Sequence, residues 1–197
     1  MILNEKLNFE DLNKDHQAAF INRSGYRPEK KLLPAGMILY KFNNDDQASF
    51  VDWNTKKPAM SPWWSPYEAY LWDAGWAQKE KIAKANGISV REWGRLTSAV
   101  KEDWNSLEYL VVIQLTVDVW GWFGGFTSMD RNTITKKDEN GNAVEFAAAK
   151  QMSAGGLQEG KAKGSKRLPG GATQFYIPNL TPDMVAQPPQ VKSLKFQ

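Results

Sequence analysis

The run LEYLVVIQLTVDV, from Leu107 to Val119, limits the fold more than any other stretch of this chain. It is rich in β-branched residues and lies well short of the ~18 apolar residues that a membrane-spanning helix needs. It therefore reads as a long, largely buried strand. A strand buried on both faces needs hydrogen-bonded neighbours and apolar cover, so the rest of the chain has to supply a sheet and something packed on it. The run continues into Trp120, Gly121, Trp122, Phe123, Gly124, Gly125 and Phe126. Glycines there point to a bulge, a bend or a close approach by a ligand.

Two partner strands are visible. Met37 to Phe42 follows a Leu33-Pro34-Ala35-Gly36 turn and is rich in β formers. Asn43 to Asp46 closes it with a turn. Phe175, Tyr176 and Ile177 form another short strand late in the chain. Two helices lie between. Ser65, Pro66 and Glu68 read as N-cap, first-turn proline and N3 acid of a helix running to Asn86, with Gly87 after its end. Gly75 inside it weakens it or permits close packing. Ser89 and Glu92 form a second capping pair. Val90, Trp93, Leu96, Thr97, Val100 and Trp104 follow at helical spacing, giving an amphipathic helix of about 15 residues.

The expected fold is α+β: a small, mainly antiparallel split sheet with two central helices packed on it, in a single domain over residues 1–197. Residues 1–35 read as a polar lead-in. Residues 130–168 read as a long mobile loop or lid, poor in bulky apolar side chains. Residues 187–197, opened by Pro188 and Pro189, read as a tail. Thr181, Pro182 and Asp183 start one more short helix.

Composition removes several chemistries. There is no cysteine, so disulfides, thiolate nucleophiles and sulfur-ligated metals are out. His16 is the only histidine and sits in a polar stretch. That argues for an exposed or locally bonded side chain and against a Ser-His-Asp triad or a histidine metal site. Net charge is +3, too little for a dedicated nucleic-acid surface. No signal-peptide pattern or membrane span is present. A cytoplasmic protein is expected, or one delivered into another cell without a classical signal peptide. Nine tryptophans supply large apolar area whose N–H groups need partners.

Candidate site residues fall into four groups. Gly170 and Gly171, at the end of the long loop, can bring backbone N–H groups to a phosphate, or can simply turn the chain into the last strand. Gln174 enters that strand and either faces solvent or reaches a ribose or a carboxamide. Arg91 and Arg95 share a helix face, and Arg95 beside Gly94 is the better phosphate holder. Trp64 and Trp122, in the clusters at residues 63–64 and 120–123, serve as core or as a wall for a planar ring. Glu108 opens the long strand and is the carboxylate candidate. No metal site is expected.

The segments LPAGMILYKF, Leu33–Phe42, and LPGGATQFYIPNL, Leu168–Leu180, together resemble the layout of NAD-consuming toxin domains. The second segment is similar to the Gly-Gly-x-x-Gln segment near the end of necrotizing-toxin NAD glycohydrolases. The first is similar to the Leu-Tyr-Arg strand of the ADP-ribosyltransferase superfamily. The resemblance implies that Gln174 takes the site glutamine and that Lys41 stands where transferases keep a dinucleotide-binding arginine. It implies NAD as substrate, with a target macromolecule or a cognate inhibitor protein as further partner. Two departures are plain: Lys41 is not arginine, and no late strand carries the transferase Glu-x-Glu.

Cleavage of the nicotinamide–ribose bond passes through an oxocarbenium-like state, as glycoside hydrolysis does. It needs no thiol, metal or histidine. Two other readings stand beside it. One is a protein-binding or inhibitory module that uses exposed aromatics. The other is a nucleic-acid binder using Lys161, Lys163, Lys166 and Arg167.

Overall fold

The computed structural model describes residues 2–21, 27–100, 105–130, 167–168 and 170–194. Eleven strands are present among the described residues: β1 Glu29–Leu33, β2 Ile38–Asn43, β3 Ser49–Val51, β4 Pro58–Met60, β5 Trp63–Pro66, β6 Tyr109–Gln114, β7 Val119–Gly125, β8 Met129–Asp130, β9 Arg167–Leu168, β10 Thr173–Tyr176 and β11 Gln190–Ser193. The helices are α1 Lys14–Ala18, α2 Trp76–Ala85 and α3 Val90–Thr97. Seven strands form one sheet in the order β1-β7-β10-β5-β2-β6-β11, and every pair in it is antiparallel. β3-β4 and β8-β9 are separate two-stranded ribbons. The architecture is α+β, as the sequence leads one to expect.

The long apolar run is two strands, not one. β6 ends at Gln114 and β7 begins at Val119. Thr116, Val117 and Asp118 turn the chain between them, and the Asp118 carboxylate accepts from the Ala35 amide at 2.8 Å. The two strands do not pair: β6 lies between β2 and β11, β7 between β1 and β10. Four strand spacings separate them in sheet order, about 19 Å if the sheet were flat. Leu115 to Val119 can span at most about 14 Å. The sheet must therefore curl until its halves face each other. One apolar core accordingly draws on both halves: Leu39, Val111 and Ile113 from one, Leu33, Phe123 and Phe175 from the other.

β5 is where the sheet splits. Ser65 and Pro66 pair with Tyr40 and Leu39 of β2. Trp64 and Trp63 pair with Phe175 and Tyr176 of β10. From Lys41 onward β2 follows β6 alone, and a gap opens between it and β5.

Other boundaries shift too. Ser65-Pro66 ends a strand and does not cap a helix; α2 begins only after Gly75. Gly75 has φ 76°, and a Cβ there would lie 2.7 Å from the Ala69 amide nitrogen. The glycine thus sets the helix start. α3 does begin as expected, with the Ser89 hydroxyl accepting from the Glu92 amide at 3.1 Å. It stops at Thr97, where Ala99 takes a left-handed φ of 50°. Glu29–Leu33 of the polar lead-in is an edge strand on β7. Gln190–Ser193 of the expected tail is the opposite edge strand, on β6. Only the ends of the expected mobile loop are described, where Met129 and Asp130 pair with Leu168 and Arg167. Lys161, Lys163 and Lys166 lie outside the described residues. No helix among the described residues is long and apolar enough to cross a membrane.

Candidate functional site

A cavity of about 580 Å³ occupies the split between β2 and β5. That size suits a small-molecule site, typically ~300–1,000 Å³. Lys41 and Phe42 of β2 line one side, and Trp63, Trp64 and Ser65 of β5 the other. Gln174 of β10 lines it too, and so do Asp15 and His16 of α1. Ser98, Ala99 and Val100, just past α3, complete the wall.

Strand alternation decides what each residue offers. On β10, Thr173 and Phe175 face the central core side, while Gln174 and Tyr176 face α1. Gln174 is only 6% exposed, yet its side-chain amide makes no hydrogen bond among the described residues. The Gln174 amide atoms are not fully enclosed, as those of Trp93 Nε1 and Trp120 Nε1 are; they open onto the cavity, where a ligand can bond them.

Lys41 is the second such group. It shares the face of Leu39 on β2 and lies over the Trp64 ring at 5.7 Å. It has no ion-pair partner among the described residues. Burial pushes its ammonium pKa down to about 8, with the nearby Asp45 carboxylate opposing only in part.

The third group is one that sequence reasoning set aside. His16 is not a free surface residue. The Tyr176 hydroxyl and His16 Nδ1 are 2.6 Å apart, and the imidazole meets Trp63 edge-on at 5.9 Å. The contact spans 160 residues of sequence, so no local pattern could reveal it. α1 reaches this place because the chain after it runs along the end of β7. Ile21 N–H donates to Gly125 at 2.8 Å, and the Ala19 carbonyl accepts from Thr127 at 2.9 Å. Burial raises the Tyr176 pKa.

Other candidates take structural places. Arg95 is buried below the wall, and its guanidinium donates to the carbonyls of Val100 at 3.1 Å and Asn105 at 3.0 Å. It shapes the cavity wall and lines no part of it. Gly94 is required for another reason: a Cβ there would lie 2.4 Å from the Phe42 ring. Trp122 is 2% exposed and packs with Leu12, Phe20 and Tyr176 away from the cavity. Glu108 precedes β6 and its carbonyl accepts from Leu194 at 2.7 Å; it is not among the lining residues.

The paired glycines at the end of the long loop also find their use. Gly170 and Gly171 have φ of 69° and 87°. Their amides donate to Leu96 at 3.0 Å and Phe126 at 2.8 Å, so neither is left for a phosphate. A Cβ at Gly170 would sit 2.6 Å from the Phe126 carbonyl oxygen. The pair threads the chain tightly between α3 and β7 and so delivers Gln174 to the cavity.

A satisfied polar cluster lies close by in the fold. Asp73 accepts from Lys79 Nζ at 2.7 Å, from the Gly75 amide at 2.8 Å and from the Thr173 hydroxyl. Lys79 also lies over the Tyr40 ring at 5.2 Å. Among the described residues no group of three or more His, Cys, Asp or Glu is placed to hold a metal. Comparison with protein-family models, curated proteins and solved structures finds no match, so what the cleft does rests on its own geometry.

Proposed function

We propose that the cleft binds NAD and cleaves its nicotinamide–ribose bond, giving nicotinamide and ADP-ribose, the latter passed to water or to a macromolecule. The observation that carries this reading is the Gln174 amide, without a protein partner among the described residues, on a cavity shared with Lys41 and aromatic walls. Trp63, half-buried on the cavity wall, offers a ring face or edge to the nicotinamide. Lys41 stays mostly protonated at neutral pH and meets the pyrophosphate. Gln174 donates to and accepts from ribose hydroxyls or the attacking water. As the bond breaks, charge builds on the ribose, and water attacks its anomeric carbon and loses a proton. His16 and Asp15 are the lining groups able to receive it.

The test is nicotinamide release from NAD by the purified protein, with and without a cell lysate as acceptor, beside Gln174→Ala. Release by the wild type and its loss in the variant are expected. NAD left intact under both conditions would end this reading.

A second reading rests on the surface. Phe50, Val51 and Trp53 are exposed on and just beyond β3, Trp53 at 82%, and Leu71 and Trp72 are exposed before α2. These suit contact with a target macromolecule or an inhibitor protein. Trp53→Ser should then abolish ADP-ribosyl labelling of lysate proteins while nicotinamide release into water persists.

A further inference from the structure

A half-buried amine on a cavity wall, with no ion-pair partner among the described residues, does more than offer a positive charge. We propose that Lys41 is a nucleophilic amine that condenses with the open-chain aldehyde of a ribose-type sugar held in the cleft. The choice of ribose rests on the NAD reading, since ADP-ribose released there carries an anomeric carbon that opens to an aldehyde. The reactivity of the amine does not rest on it.

Position carries the inference. Lys41 is the first β2 residue beyond the point where β5 leaves, so it borders the cavity on that side while it still pairs with Val111 of β6 on the other. The Trp64 ring lies under the ammonium, and no carboxylate pairs with it among the described residues. Asp45, the closest carboxylate in electrostatic effect, is held by Asn43 at 2.7 Å and by the Gln47 amide at 2.9 Å. Desolvated lysines of this kind form Schiff bases because more of the amine is neutral. The depressed pKa agrees with that. Gln174, on the same cavity, can hold the sugar hydroxyls while the amine reacts.

The step balances without an oxidant or reductant. The neutral Nζ lone pair attacks the carbonyl carbon, the C=O π pair moves to oxygen, and oxygen takes a proton. The carbinolamine then loses water, leaving a protonated C=N bond to Lys41 and a sugar chain of unchanged oxidation state.

The experiment uses the whole protein with ribose 5-phosphate and sodium cyanoborohydride at about pH 8, which reduces any imine to a stable secondary amine. Peptide mapping should find Lys41 labelled roughly tenfold faster than exposed lysines, in keeping with its larger neutral fraction at that pH. Lys41→Arg should lose the fast label and keep the slow ones. Labelling spread over surface lysines, with Lys41 no faster than they are, would overturn the inference, and the wild-type map alone decides it. Fast labelling by a protein that leaves NAD intact would uphold the amine and remove only the NAD reading. NAD cleavage without preferential labelling would do the reverse.

Discussion

The fold draws two lysines out of solvent, Lys79 fully and Lys41 in part, and treats them in opposite ways. Lys79 of α2 is given a full set of partners: the Asp73 carboxylate at 2.7 Å and the Tyr40 ring. Lys41 of β2 is given an aromatic ring and a cavity. Burial lowers the pKa of both, and in Lys79 the Asp73 charge and hydrogen bond oppose it. A buried charge placed for structure is answered by the chain itself, because an unanswered one is too costly to keep. A buried charge left unanswered points to something the chain lacks. The same contrast holds on β10: Thr173 is bonded to Asp73, whereas the side chain of Gln174, one residue on, has no hydrogen-bond partner among the described residues.

The sharpest way to break the comparison is to make the satisfied cluster unsatisfied. Asp73→Ala strands the Lys79 ammonium and removes the acceptor for Gly75 N–H and for the Thr173 hydroxyl. Loss of one member of a buried pair costs about 3–5 kcal/mol. Urea denaturation should show that loss. A change below about 1 kcal/mol would mean that the cluster is wet and that the contrast with Lys41 is not real.

The delivery of Gln174 gives the next effect. Gly170→Ala combines a left-handed φ with a Cβ 2.6 Å from a backbone oxygen, and should cost roughly 2–4 kcal/mol. Gly36 has φ of 90° but nothing within 4 Å of a Cβ, so Gly36→Ala should cost about 1 kcal/mol. Thermal melting of the two variants side by side separates packing from conformation. Equal losses would show that the Gly170 chain path is not tightly held.

Gln174 itself should matter little for stability. Gln174→Leu replaces an unpartnered amide by an apolar group of similar reach, and such exchanges are near neutral or stabilising. A change within about 1 kcal/mol is expected in urea. A loss of 2 kcal/mol or more would show a partner that the amide relies on, and would weaken its claim as a ligand group.

What the sequence conveyed follows from which interactions are local. Strand composition at Met37–Phe42 and Phe175–Ile177 and the Ser89 cap were legible, since β propensity and capping act over a few residues. The split sheet was legible as a class, but its topology was not. Periodicity cannot tell one long buried strand from two that meet the core from opposite sides, and Thr116 and Asp118 were the only polar marks of the turn between Leu115 and Val119. Ser65-Pro66 misled because a capping pattern also suits the end of an edge-diverging strand. The role of Gly75, left-handed before α2, was the missed signal. Lys41, Trp64 and Gln174 were picked out and do line one cavity. His16 was not, because its partner lies at the far end of the chain. Arg95 was misplaced because an amphipathic wheel cannot show that the chain folds back over it at Val100 and Asn105.

A test that depends on pH bears on Lys41 directly. Its folded-state pKa, about 8, lies below the ordinary lysine value of 10.5. Between those two pH values the unfolded chain holds a proton that the folded chain has released, so this group makes stability rise with pH across that window. Below about pH 8 both states are protonated and the cost of burying the charge is constant. Lys41→Met removes that cost. The variant should therefore be more stable than the wild type at pH 7, and its advantage should shrink as pH climbs from about 8 towards 10.5. Taking the difference between the two proteins cancels the contributions of Lys79, Tyr40 and Tyr176, whose own shifts are common to both. An advantage that stays flat with pH would mean that the Lys41 ammonium is hydrated or paired in the folded protein. Its contrast with Lys79 would then be one of geometry alone.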